Sequence, residues 1–188
     1  MSETSEDRSK RNFVDNLLSY NFSKEIRIYF NEYDSEYSHL YSKLIKRLKK
    51  YLSNRLPNSV LLTRITSNKA QHPVLNIFVA LDDEKVTQKE IRSWLLSNPL
   101  AYTDKQSGEF IDCDTIGISI TGRFSNEELL MGYASTVKSE RPHNIEIFEM
   151  NIKRVTLMNS KNHHLKLTTQ QIKHRKKLVR EKVLAKRK

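Results

Sequence analysis

The chain has 188 residues, 37% hydrophobic and 29% charged, with four Gly, four Pro and one Cys. That is enough apolar side chain for one core and too little Gly and Pro for a linker-rich chain, so a single domain with appendages is expected. One cysteine excludes an intrachain disulfide and a multi-cysteine zinc site, no apolar run reaches the roughly 18 residues of a membrane span, and the polar start MSETSEDRSKRN lacks a signal-peptide pattern, so a soluble intracellular protein, cytoplasmic or nuclear, without membrane association is expected.

The net charge of +11 is unevenly placed. Residues 158–188 hold eleven Lys or Arg against Glu181 alone, which leaves the rest of the chain nearly neutral. A neutral globule with a cationic end points to a polyanionic partner.

In chain order, residues 1–11 lack apolar periodicity and are expected to form a disordered polar leader. Residues 12–158 are expected to make the domain, beginning with a short helix in which Asn12 caps Phe13, Val14, Leu17 and Leu18. Lys24 to Phe30 alternates with Ile26, Ile28 and Phe30 on one side, as a half-buried strand does. From Asp34 to Leu56, Tyr37, Leu40, Tyr41, Leu44, Leu48, Tyr51 and Leu52 recur at helical steps and Pro57 supplies the stop. Ser59 to Thr66 and Pro73 to Leu81 read as an antiparallel hairpin. A helix over Val86 to Ser97, a polar loop over Ala101 to Gly108 and a strand over Thr115 to Thr121 follow. Ser125 and Glu128 have the spacing of a capping box for a helix that buries Leu129, Leu130 and Tyr133. Ile145 to Met158 alternates as a long strand with a bend, Val155 facing inward.

Residues 159–188 form the basic C-terminal arm. Thr168 and Gln171 predict a capping box, and Ile172, Val179 and Val183 make a narrow stripe on a helix running towards Lys188. So thin a stripe is expected to hold the helix weakly until a partner binds. The pattern is that of an α+β fold, or a mixed-sheet α/β fold, with about five strands and four helices in one domain plus the basic C-terminal helix.

Several chemistries are excluded or left weak. No GxxxxGK[ST], GxGxxG or GxSxG motif occurs, so phosphate-cradling loops and a serine-hydrolase elbow are absent. No Cys or His spacing suits a metal, His163, His164 and His174 suit phosphate contact better than ligation, and no cofactor is implied. Asp82, Asp83, Asp112 and Asp114 stand beside predicted strand ends and carry the alternative reading, a metal-dependent nuclease or phosphodiesterase.

The basic residues carry the main reading. Lys43, Lys46, Arg47, Lys49, Lys50 and Arg55 lie on one helix without an acid among them, and like charges one turn apart cost a few tenths of a kcal/mol per pair. Tyr33, Tyr37, Tyr41 and Tyr51 interleave with them and suit either base stacking or the core. Lys173, Arg175, Lys176, Lys177, Arg180, Lys182, Lys186, Arg187 and Lys188 supply the arm, in which lysine outnumbers arginine, favouring phosphate over base contacts. A non-enzymatic DNA- or RNA-binding protein of weak sequence specificity is therefore expected, the helix and the arm gripping phosphates side by side. A third reading makes the chain a structural subunit of a ribonucleoprotein or virion assembly, with protein partners.

Overall fold

The computed structural model describes residues 5–30, 38–67, 72–81, 118–139 and 155–186, with short pieces at 89–90, 93, 102–103, 105–108 and 110–111. The elements are α1 (Ser5–Ser19), β1 (Lys24–Phe30), α2 (Ser38–Arg55), β2 (Ser59–Ser67), β3 (Pro73–Leu81), β4 (Tyr102–Thr103), β5 (Phe110–Ile111), β6 (Ile118–Phe124), α3 (Glu127–Ser139), β7 (Val155–Met158) and α4 (Thr169–Ala185), with a 3-10 turn at His163–Leu165. β4 and β5 pair with each other, and the other strands form one sheet in the order β6-β1-β3-β2-β7 with every neighbouring pair antiparallel. The protein is thus α+β. Because β1 and β2 both oppose β3, they run parallel to each other with β3 between them, and α2 makes the crossover of a split βαβ unit.

Strand alternation decides which helices cover which face. Ile26, Ile28 and Phe30 of β1, Leu75, Ile77 and Val79 of β3, and Leu61 and Ile65 of β2 pack against Leu44, Ile45, Leu48 and Leu52 of α2. On the opposite face Val60, Leu62, Phe78 and Ala80 meet Phe13, Val14, Leu17 and Leu18 of α1, Leu130, Met131, Ala134 and Val137 of α3, and Val179 of α4. Each of the Val, Leu, Ile, Phe and Met side chains among them contributes about 1.5–3 kcal/mol on burial. This three-layer arrangement explains PVLNIFVAL, the β3 sequence: only its last residue, Leu81, is not buried, because both faces of the central strand are covered. Phe78 lies 5.8 Å from Phe13 and 5.3 Å from Tyr133, ring centre to ring centre, which ties α1 and α3 to the sheet.

The structure departs from the sequence reading at several points. α1 begins at Ser5, not at Asn12, and the Asn12 carbonyl accepts a bond from Asn16 Nδ2 inside the helix at 2.8 Å. Glu6 and Asp7 in the first turn match the helix dipole, so the polar run 5–11 extends the helix. α3 starts one residue later than expected: Asn126 Oδ1 accepts from Leu129 N at 2.9 Å, so Asn126 caps it in place of Ser125. That phase turns Leu129 outward, 44% exposed, and brings Met131, Ala134 and Val137 in. α2 is described from Ser38; the helix expected over 86–97 lies mostly outside the described residues, and of the strand expected over 145–158 only Val155–Met158, which forms β7, is described. Among the described residues no helix is long and apolar enough to cross a membrane.

Candidate nucleic-acid interface

α4 is docked by one guanidinium. Arg175, 4% exposed, donates from Nε to Glu127 Oε1 at 2.9 Å, from Nη1 to the Tyr20 carbonyl at 2.9 Å and from Nη2 to Asn21 Oδ1 at 3.2 Å. The planar fork reaches three partners in three directions, which a lysine cannot do. Val179 is fully buried one turn later, with Leu178 and Val183 half-buried beside it. At the start of the helix Gln171 N donates to Thr168 Oγ1 at 3.3 Å and Thr168 N donates to Gln171 Oε1 at 2.9 Å, the expected capping box. The helix is therefore seated on α1 and α3; the thin stripe underestimated its attachment because Arg175, assigned to phosphate, is its anchor.

The other arm residues divide by position. Lys173 and Arg180 are exposed on the outward face. Lys176 pairs with Asp15 of α1 at 3.2 Å, Lys177 approaches Glu181 at 3.9 Å, and Lys186 Nζ donates to Ser135 Oγ at 3.1 Å and Thr136 Oγ1 at 3.0 Å. Lys182 is half-buried, and Arg187 and Lys188 lie outside the described residues.

On α2, Lys43, Lys46, Arg47, Lys50 and Arg55 are exposed as expected. Lys49 is not: it is 8% exposed, and its Nζ donates to Thr156 Oγ1 at 2.9 Å. Burial lowers its pKa to about 8. The helical repeat places Lys49 between Ile45 and Leu52 on the inward face, a signal that attention to charge alone missed. Tyr51 is half-buried against the same cluster, consistent with a core role; Tyr33 and Tyr37 lie outside the described residues.

The two basic helices do not lie side by side. α2 covers one face of the sheet and α4 belongs to the layer on the other. The segment after β7 connects them around one end of the sheet. Asn159, in the left-handed region at φ 56°, donates from Nδ2 to the carbonyls of Ser53 at 3.1 Å and Leu56 at 2.9 Å, and accepts from Ser53 Oγ at 2.7 Å. Asn162 Nδ2 donates to the Pro57 and Ser59 carbonyls at 2.9 Å each. The bond to Ser53 satisfies a carbonyl that the end of α2 leaves open, and the others pin the turn from α2 into β2. From there the chain runs to Lys166, which bridges to Tyr20 at the end of α1, and into α4.

Along this route the charged exposed side chains are cationic or imidazole, set among neutral polar ones such as Ser160, Thr169 and Gln170. Arg55 closes α2, Lys161, His163, His164 and Lys166 follow around the sheet end, and Lys173 and His174 open the outward face of α4. No acid occurs between Met158 and Arg180. Among the described residues no ion pair engages Lys161, Lys166, Lys173 or Arg180.

The carboxylates Asp82, Asp83, Asp112 and Asp114 lie outside the described residues, among which no group of three or more His, Cys, Asp or Glu is placed to hold a metal. No protein-family model matches the chain, and neither the curated proteins nor the solved structures contain a match.

Proposed function

We propose that the protein binds nucleic acid through its phosphate backbone, along the cationic band that rounds the end of the sheet from the last turn of α2 to the outward face of α4. The observation that supports this most is the placement of Lys161, Lys166, Lys173 and Arg180: exposed, engaged by no ion pair among the described residues, and carried on a segment fixed by Asn159, Asn162 and Arg175. Cations held on a rigid frame lose less entropy on binding than a floppy tail would. No enzymatic step is part of this reading. Lysine predominates in the band, so contacts are to phosphate and discrimination between sequences is weak.

If Arg55, Lys161, Lys166, Lys173, Lys177 and Arg180 each neutralise one phosphate, the logarithm of the binding constant falls with the logarithm of salt concentration with a slope of about −5. Removing the C-terminal helix is a poor test, because Arg175 and Val179 are structural. Glutamine at Lys161, Lys166 and Lys173 leaves the buried contacts in place and is expected to reduce the slope by between about 2 and 3. The experiment is fluorescence anisotropy with labelled DNA and RNA across a salt series, and an unchanged slope in that triple variant eliminates the band. Lys46→Gln with Lys50→Gln serves as the comparison on the outward face of α2. A loss there as large as at the sheet end would move the interface to α2.

A further inference from the structure

The outward face of α2 is a second cationic surface, and it points away from the first. Leu44, Leu48 and Leu52 are buried against the sheet, while Lys43, Lys46, Arg47 and Lys50 are exposed on the opposite side of the helix. At 3.6 residues per turn these four fall within an arc of about 100°. Every exposed residue from 43 to 55 is Lys, Arg or Asn, so the face offers no apolar anchor to a protein or a membrane. α2 contains no acid, so no pairing within the helix neutralises the stripe, and like charges three and four residues apart destabilise it. Among the described residues no ion pair engages Lys46 or Lys50.

α4 has the reverse arrangement on the other side of the sheet. Arg175 and Val179 are buried, and Lys173, Lys177 and Arg180 are exposed on the outward face. Because the sheet lies between α2 and α4, the two sets of cations point in opposite directions. Two helices about 10–12 Å across and a sheet layer about 10 Å thick set the charged faces on the order of 30 Å apart. A DNA duplex is stiff over about 500 Å, so one duplex cannot turn back on itself sharply enough to lie on both faces. A duplex on the band and α4 therefore leaves the α2 stripe facing solvent on the far side of the molecule.

We propose that the outward stripe of α2 holds the phosphates of a second duplex, so that one molecule bridges two nucleic-acid segments. The inference rests on the phosphate-binding reading of the band and adds a second surface to it. Lys43, Lys46, Arg47 and Lys50 are fewer than the cations of the band, so the band fills first and α2 second.

The test is the capture of one duplex by another. A short duplex is fixed to beads, a fluorescent duplex of unrelated sequence is supplied in solution, and the full chain is titrated, with DNA and with RNA. The salt is about 0.1 M, where charges more than about 10 Å apart are largely screened and the two faces act separately. Captured fluorescence is expected to rise and then fall with protein concentration, because excess protein occupies each duplex alone. Lys46→Glu with Lys50→Glu, both on an exposed face, is expected to cut capture at least about tenfold while single-duplex anisotropy changes less than about twofold and circular dichroism is unchanged. The variant with glutamine at Lys161, Lys166 and Lys173 is expected to lose both signals. Single-duplex binding without capture overturns the bridge and leaves the band standing, whereas no single-duplex binding overturns the band and the bridge with it. Capture that climbs without a maximum, or that survives Lys46→Glu with Lys50→Glu, comes from association between copies of the protein and also overturns the proposal.

Discussion

Arg175 shows how one side chain can change role between sequence and structure. In HRKK it is one cation among several; in the fold its Nη1 satisfies the buried end of α1 at the Tyr20 carbonyl. Replacing it with methionine keeps some apolar contact but strands that carbonyl and removes three hydrogen bonds. Loss of about 2–4 kcal/mol of unfolding free energy is expected in urea titrations, with Arg175→Lys recovering less than half of it. Lys49 makes the complementary case. Its folded pKa, about 8, lies below the ordinary value of 10.5, so the unfolded chain binds the proton more tightly. Stability from this group therefore rises as pH increases from about 8 to 10.5, and below pH 8 its burial is a standing cost. Lys49→Met is expected to flatten that part of the pH–stability curve and to add on the order of 2 kcal/mol at pH 7. A variant curve parallel to that of the unsubstituted chain would show that Lys49 is not buried in its charged form.

At the scale of elements, the sequence was informative wherever periodicity and termination agreed. β1, the β2–β3 hairpin and the Thr168–Gln171 cap stand where alternation and spacing put them. The start of α1 was obscured because its first turns are polar on all sides, and the phase of α3 because Ser125 and Asn126 are both good caps and only packing selects between them. The covering of both sheet faces was hidden in a different way: alternation in β1 puts Glu25 and Arg27 on a seemingly solvent-facing side, whereas α1 and α3 cover that face and Glu25 is buried. The candidate interface was legible as charge but not as surface, since the link between α2 and α4 depends on contacts from Asn159 and Asn162 to residues about a hundred positions earlier. That link can be measured. Asn159→Ala removes the bonds to Ser53 and Leu56 and places a Cβ residue poorly suited to positive φ, with about 2–3 kcal/mol of destabilisation expected in thermal unfolding. Asn159→Gly keeps the backbone conformation and is expected to lose less. Equal losses would show that the bonds, and not the left-handed backbone, account for the effect.

For the molecule as a whole, a rigid band and a flexible tail predict different dependence on the length of the nucleic acid. α4 has 17 residues, which at 1.5 Å per residue gives a frame about 25 Å long. Phosphates along one strand of a duplex advance about 3.4 Å each, so the outward face of α4 spans about seven of them, and the turn around the sheet end adds a few more. Affinity is therefore expected to rise steeply with duplex length up to about ten base pairs and then to increase only with the number of overlapping positions. A mobile polycation would instead gather phosphates from a longer strand and continue to gain affinity without a break. Competition binding with duplexes in two-base-pair steps at fixed salt distinguishes these outcomes, and a curve with no break between about eight and twelve base pairs contradicts a band held in place by Arg175, Asn159 and Asn162.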